Sequence, residues 1–479
     1  LVGDFSINTV GENSLNINKR DQTKIYQNYW EVIEKLAKDE TLNVSRVSDY
    51  IRDYLTLENK KIPNKGKVYL EFKAKYPTTS IDELENNLNG IKGLVKHYNK
   101  LINPKNEPDK DIRLQLEYID RLAINVAFPF LMKVYDDFVS SIIDKPTFLK
   151  VLELIQSFTW RRFILGLPTN ALNKIFMSLY DKVESDSYLY SIQKSLLQRS
   201  GVQRFPKNSE VIDALKVKDV YNIKSKNRIY LLERLENYEN IERVAIEGNP
   251  NITIEHIFPQ NPDPKWKMEL GNEEYIFIKE NYLNTIGNLT LSGNNGKLGN
   301  KPFIDKRDLD GAGYKDSRLW MNKYLSSLDK WDKIEIERRF DLISERFLKI
   351  WEYPQIEVDI NGDNGELNIF EADDPKHKRL EYAIFFDQKI EVKQVAKLYV
   401  EVFKQLFEIQ PETFFTSDLG ERISLTKNPT EMGLRQAVPI NDTYFIEANI
   451  DNMGKFDRIK HALTTFNFED ELTIKYAEN

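Results

Sequence analysis

The stretch T-I-E-H-I-F-P-Q-N-P at 253–262, with I-G-N-L-T-L-S-G-N-N-G-K-L-G-N-K-P-F-I-D-K at 286–306, decides how this chain is read. Two short β-prone runs stand out, 252–257 and 286–291, with a helix-forming segment at 273–284 between them. The first run sets an acid directly before a histidine, Glu255-His256, and Pro259 stops it. The second carries Gly287-Asn288-Leu289 and opens into a tract rich in asparagine, glycine and lysine. The chain has only four histidines, at 97, 256, 377 and 461. His256 alone has acid and carboxamide companions. His97 reads as a surface or core-edge residue of a helix, and His377 and His461 lack partners at ligand spacing.

Upstream of this centre the pattern is helical. Tyr26, Tyr29, Trp30, Ile33, Leu36 and Ala37 recur at three- and four-residue intervals, as do Val47, Tyr50, Ile51, Tyr54 and Leu55. Thr79 or Ser80 can cap a helix whose first turn holds Asp82, Glu83 and Glu85. A long helical stretch at 112–143 is expected to kink or break at Pro129. The stretch at 146–166 ends on Gly166-Leu167-Pro168. The basic run at 60–75, with Lys60, Lys61, Lys65, Lys67, Lys73 and Lys75, could touch phosphate, but a solvated face is the ordinary reading. Arg161-Arg162 more often tie a helix to a neighbouring carboxylate than grip phosphate.

Downstream, one helix is expected over about 317–350. Seven acids then mark residues 355–375 as a linker. Beyond it, strand candidates at 382–385 and 444–448 alternate with amphipathic helices at 392–407 and 458–466. The expected organisation is therefore a helical domain at 1–245, a core at 246–310, a helical extension at 311–354, the acidic linker at 355–375 and a small α/β domain at 376–479. Residues 1–20 read as loop or frayed lead-in.

Bulk properties narrow the classes. A chain of 479 residues exceeds one core, and two to four domains is the reasonable expectation. Cysteine is absent, which excludes disulfides, thiolate metal sites and cysteine nucleophiles and fits a cytoplasmic location. No apolar run is long enough to span a membrane, and no basic-then-apolar leader opens the chain. The first residue is Leu1, the expectation for a fragment or a processed product. The net charge is −7, so contact with nucleic acid requires a local basic face.

The central residue types suit phosphodiester hydrolysis. That reaction needs a base for the attacking water, and a histidine with a near-neutral pKa can serve. It also needs a cation to stabilise charge on the leaving oxygen, and carboxylate and amide oxygens hold a hard divalent ion. On a strand, Glu255 and His256 point to opposite faces, so one can hold metal while the other faces water. Asn288 is placed to hydrogen-bond across the turn after Pro259. Asn294 or Asn295 begins a short helix and supplies a second metal ligand.

The string I-E-H-I-F-P-Q resembles the D/E-H-I-x-P-Q box of ββα-metal, or HNH, nucleases. G-N-L-T-L with N-x-x-L-G-N-K-P-F-x-x-K resembles the C-terminal nuclease part of GmrSD-type, modification-dependent (type IV) restriction endonucleases. Y-Q-N-Y-W-E-V-I-E (26–34), W-R-R-F-I-L-G-L-P-T-N (160–170), Y-L-L-E-R-L-E (230–236) and I-W-E-Y-P (350–354) extend the likeness over residues 20–354. The resemblance implies a mainly α chain with a central ββα-metal motif and a small C-terminal α/β domain. By position it makes His256 the general base, Glu255 a metal ligand, Asn288 the middle residue of the triad and Asn295 the second ligand, with Asn294 the alternative. Lys297, Lys301, Lys306 and Arg307 become the phosphate contacts, with Asp305 alone opposing them. Mg²⁺ or Mn²⁺ is the implied cofactor and DNA the partner. The family's N-terminal half resembles a ParB-like nucleotide-binding domain with a D-G-Q-Q-R-type motif, and no such motif occurs here. The expectation is that the chain is the C-terminal portion of a longer protein, that the ParB-like half is a separate domain or subunit, or that the protein works without it.

The expectation is a metal-dependent DNA endonuclease or nickase acting against phage or modified foreign DNA. The alternatives are a non-catalytic DNA-binding or regulatory scaffold that keeps an HNH-like fold, and a helical interaction platform with a structural insert. A coordinated double-strand break needs two such centres, which leaves a homodimer open.

Overall fold

Helices begin where a side chain can take over the free backbone donors, and they end where the chain can leave the helical region. The computed structural model describes residues 23–477, apart from 61, 64, 65, 67, 77–79, 200–202, 358–365, 371, 373, 387 and 470. The expected lead-in at 1–20, three lysines of the basic run (Lys61, Lys65 and Lys67) and the alternative cap Thr79 lie outside the described residues. Helices make up 58% of the described residues, so the structure is mainly α as expected. No helix among the described residues is long and apolar enough to cross a membrane.

The N-terminal part includes the helices α1 (Val47–Asn59), α2 (Ile81–Ile102), α3 (Lys110–Leu122), α4 (Phe128–Val139) and α5 (Lys145–Leu165). Ser80 caps α2 by accepting from the Glu83 amide at 3.2 Å, and Asp144 caps α5 through Thr147. Gly166 ends α5 at φ +72°, a conformation that costs a residue with a Cβ more than glycine. The expected break at Pro129 comes earlier. α3 stops at Ala123, which takes φ +53°, and Pro129 instead sits in the first turn of α4, where its missing amide hydrogen costs nothing. Ile33, Ile51, Leu55, Val95, Leu116, Phe130, Phe148 and Phe158 share one interior.

Two further helices, α6 (Asn208–Val217) and α7 (Ser225–Asn237), lead to the centre. There β1 (Thr253–His256) precedes α8 (Asn272–Asn281), β2 (Leu289–Ser292), the single turn α9 (Asn295–Leu298) and α10 (Phe303–Arg307). β1 and β2 pair antiparallel with Glu255 opposite Thr290 and His256 opposite Leu289. Every residue of β2 is buried. Leu289 and Leu291 pack with Trp160, Tyr230, Phe347 and Trp351, whereas Ile257 and Phe258, just past β1, pack with Trp266, Phe303 and Trp331.

The single helix expected over 317–350 is split. Trp320–Lys323 and Leu325–Ser327 are short turns, and only α11 (Lys333–Ile350) is long. The interruption has two causes. Asp332 is extended and caps α11 through the Glu335 amide, and Trp331 turns inward so that its indole donates to Asn288 Oδ1 at 3.1 Å. Arg161 is fully buried, but it ties α5 to the carbonyls of Trp351 and Pro206 and to Asn208 rather than to a carboxylate.

The C-terminal part holds a four-stranded antiparallel sheet. Its strands are β3 (Glu366–Asn368), β4 (Leu380–Phe385), β5 (Gln388–Ile390) and, after helices α12 (Val395–Ile409) and α13 (Asn452–Phe466), β6 (Leu472–Tyr476). The spatial order is β3-β6-β4-β5. Residues 366–368, expected within the acidic linker, thus form an edge strand.

Arg339 on α11 is buried and donates to the carbonyls of Ile286, Gly287, Leu289 and Met321. Burial pushes its pKa down to about 9, and those carbonyls hold it in place of a carboxylate. Arg339→Met would strand them, and we expect a loss of about 3 kcal/mol or more in urea unfolding. A change below about 0.5 kcal/mol would show that α11 does not brace the hairpin.

Candidate active site

The hairpin sends Glu255 and His256 to opposite faces, as adjacent residues of a strand must go. Glu255 is buried, and its Oε1 accepts from Lys306 Nζ at 2.6 Å. The same ammonium donates to the carbonyls of His256 at 2.8 Å and Ile257 at 3.1 Å. Lys306 is 0% exposed, so its three protons are distributed among three oxygens of one strand end. Burial pushes the Glu255 carboxyl up and the Lys306 amine down, and each partner's charge pulls the other back.

His256 lies on the other face. Its Nε2 is 3.2 Å from Asn284 Oδ1, and its ring packs 4.5 Å from the Tyr221 ring. Asn284 in turn donates to Asp219 Oδ2 at 3.2 Å, and its backbone carbonyl accepts from the amides of Val220 and Tyr221. Burial draws the imidazole pKa below its ordinary value, with the Asn284 bond opposing. The ring is therefore neutral at neutral pH and able to take a proton.

Asn288 is buried with every hydrogen-bonding position used. Its Oδ1 accepts from the Phe258 amide at 2.8 Å and from Trp331, and its Nδ2 donates to Phe258 O and Leu283 O, both at 3.0 Å. Its backbone carbonyl accepts from Ile257. The turn that follows His256 is thus tied at two successive residues.

Of the two asparagines after β2, Asn295 touches β1. Its Nδ2 donates to Ile254 O at 2.8 Å and approaches Thr253 Oγ1 at 3.3 Å. Asn294 acts through its backbone, accepting from Lys297 and Leu298 at the start of α9. No hydrogen bond or ion pair joins Glu255 to His256 or to Asn295, and no group of three His, Asp or Glu side chains gathers at metal-ligand spacing among the described residues. The available donors are hard: a carboxylate with one oxygen on Lys306, and a carboxamide anchored through its nitrogen. Such a set suits a Mg²⁺-like ion that keeps several waters, and it does not suit a metal that wants nitrogen or sulfur. A cation at Glu255 would share that carboxylate with Lys306.

The four basic residues expected to meet phosphate separate into two kinds. Lys297 and Lys301 are exposed, and neither has a carboxylate partner among the described residues. Lys306 is not a surface contact, because its ammonium is sealed inside. Arg307 is neutralised by Asp308 at 2.6 Å and Asp329 at 2.7 Å, and these two acids raise its pKa further. Asp305 is therefore not the only opposing acid.

Residues 205–346 match the family model for GmrSD restriction endonucleases, C-terminal domain. The match implies a restriction-endonuclease type of function for this region. The span runs from before α6 into α11 and encloses the hairpin, Asn288, Asn295, Lys306 and also Asp219, Tyr221 and Asn284. It is narrower than the resemblance seen over 20–354. The strings at 230–236 and 286–306 fall inside it, whereas those at 26–34, 160–170 and 350–354 fall outside. No curated protein matches the chain. Asp219, Tyr221 and Asn284 carry no motif that singles them out, and only the fold brings them to His256.

Lys306→Met leaves a carboxylate and two carbonyls buried without a donor. We expect about 3–5 kcal/mol of destabilisation in urea unfolding. The double variant with Glu255→Leu should recover a large part of it, since no charge is then left uncompensated. Equal stability of the two variants would show that the carboxylate left by Lys306→Met carries no cost of an uncompensated charge.

Proposed function

We propose that residues 246–310 form a ββα-metal (HNH) centre and that the protein is a metal-dependent DNA endonuclease or nickase, acting in the cytoplasm against phage or modified foreign DNA. The observation that carries this reading is the placement of His256, held against Asn284, on a braced hairpin inside the region that matches the C-terminal domain model of GmrSD restriction endonucleases. In it, His256 takes the proton of the attacking water. Asn288 holds Phe258 and so fixes the backbone that presents His256. Lys297 and Lys301 contact backbone phosphates. Glu255 and Asn295 would hold Mg²⁺ or Mn²⁺, which when bound supplies positive charge at the leaving 3′ oxygen. One centre suffices for a nick, and a homodimer would provide the second for a double-strand break.

One observation favours the second reading, a DNA-binding or regulatory scaffold. Glu255 is paired with the buried Lys306 ammonium, which a cation at that carboxylate would have to share or displace.

Plasmid nicking separates the two. With Mg²⁺ or Mn²⁺ the wild-type chain should convert supercoiled to open-circular DNA, EDTA should stop it, and His256→Ala should lower the rate by about 100-fold or more. Equal rates for wild type and His256→Ala would overturn the nuclease reading. Wild-type DNA binding without any cleavage would establish the scaffold.

A further inference from the structure

We infer that Asp219 and Asn284 form a positioning pair that fixes which nitrogen of His256 carries its proton, leaving Nδ1 as the proton acceptor; the inference rests on the nuclease reading above. The argument starts from Asp219, whose carboxylate only accepts hydrogen bonds. Its Oδ1 takes the Asn222 amide at 2.9 Å, and its Oδ2 takes Asn222 Nδ2 at 2.7 Å and Asn284 Nδ2 at 3.2 Å. Burial raises the Asp219 pKa, but these donors outweigh it, and the group stays ionised below the ordinary carboxylate range.

An acceptor on that side fixes the Asn284 amide. Its NH₂ must face Asp219, so its Oδ1 must face His256. Turning the amide over would set oxygen against carboxylate. The residue cannot slide away either, since Val220 and Tyr221 both donate to its backbone carbonyl, at 2.9 and 3.2 Å.

His256 Nε2 therefore meets an acceptor and must supply the hydrogen. In a neutral imidazole the lone pair is then on Nδ1. Among the described residues Nδ1 has no hydrogen-bond partner, and unlike Nδ1 of His97 it is not sealed among buried unpaired atoms. The Tyr221 ring, 4.5 Å away and inclined at 59°, limits rotation of the imidazole plane. The loop between α6 and α7, which adds no residue to the hairpin, thereby decides where a proton can be taken.

Selective ¹⁵N-histidine labelling of the full chain tests this, with the His256 signals assigned by their loss in His256→Gln. Wild-type His256 at neutral pH should show a pyrrole-type Nε2 and a pyridine-type Nδ1, and the reverse pattern would overturn the inference without any variant. Asp219→Asn keeps the shape but removes the acceptor-only constraint. It should give mixed tautomers and about a 10-fold lower nicking kcat with KM for DNA unchanged, and Asp219→Glu should restore part of both. An unmixed wild-type pattern in a folded Asp219→Asn chain would also overturn it. Failure of the nuclease reading has a different signature: His256→Ala nicks as fast as wild type, whatever the nitrogen spectrum shows.

Discussion

A single buried ammonium holds the central hairpin in register with everything around it. Lys306 donates to a side-chain oxygen and to two consecutive carbonyls of the strand end, Glu255, His256 and Ile257. Two charges taken out of water cost several kcal/mol each, and a bare ion pair recovers that cost poorly. The two carbonyl bonds change the balance, because they leave no proton of the ammonium unsatisfied. The geometry also fixes a direction. Once Lys306 is seated, Glu255 must face inward, and strand alternation turns His256 the other way. The orientation of the histidine is thus set by a contact it does not itself make through its side chain.

The second constraint is a set of donors that hold the backbone from behind. Arg339 occupies four carbonyls around β2, and Asn288 holds Phe258 and Leu283 while accepting from Trp331. None of these groups reaches the histidine face. They make the surrounding loops as rigid as regular structure, which is what a positioned base requires. Rigidity here comes from satisfied polar networks more than from strand length, since the hairpin has only four residues on each side.

Much of this was legible in the sequence. The two runs that became β1 and β2, the serine cap of α2 and the glycine end of α5 follow from local rules of alternation and capping, which need no tertiary information. The mainly helical class followed from periodicity. What was not legible depended on contacts far apart in the chain. Lys306 sits in a basic cluster and reads as surface, because nothing near it shows that its partner lies at Glu255. Arg307 has one partner next to it in sequence, Asp308, but the second, Asp329, is remote and only the fold brings it in. The helix expected over 317–350 is broken because Trp331 is drawn to Asn288, a tertiary pull that periodicity does not record. Asp219 and Asn284 look like an ordinary turn acid and an ordinary turn asparagine until the fold brings them to one ring.

The order of strands in the C-terminal sheet has a consequence for how the chain is made. β6 lies between β3 and β4, so one of the sheet's two interior strands is the latest of its members to leave the ribosome. β3 then has no neighbour to pair with until Leu472–Tyr476 has been synthesised. The core that packs on the central hairpin ends at Trp351, just past α11. During translation the histidine-bearing region can therefore assemble while the C-terminal sheet still has open edges, and those edges are the part of the nascent chain most exposed to pairing with the wrong strand.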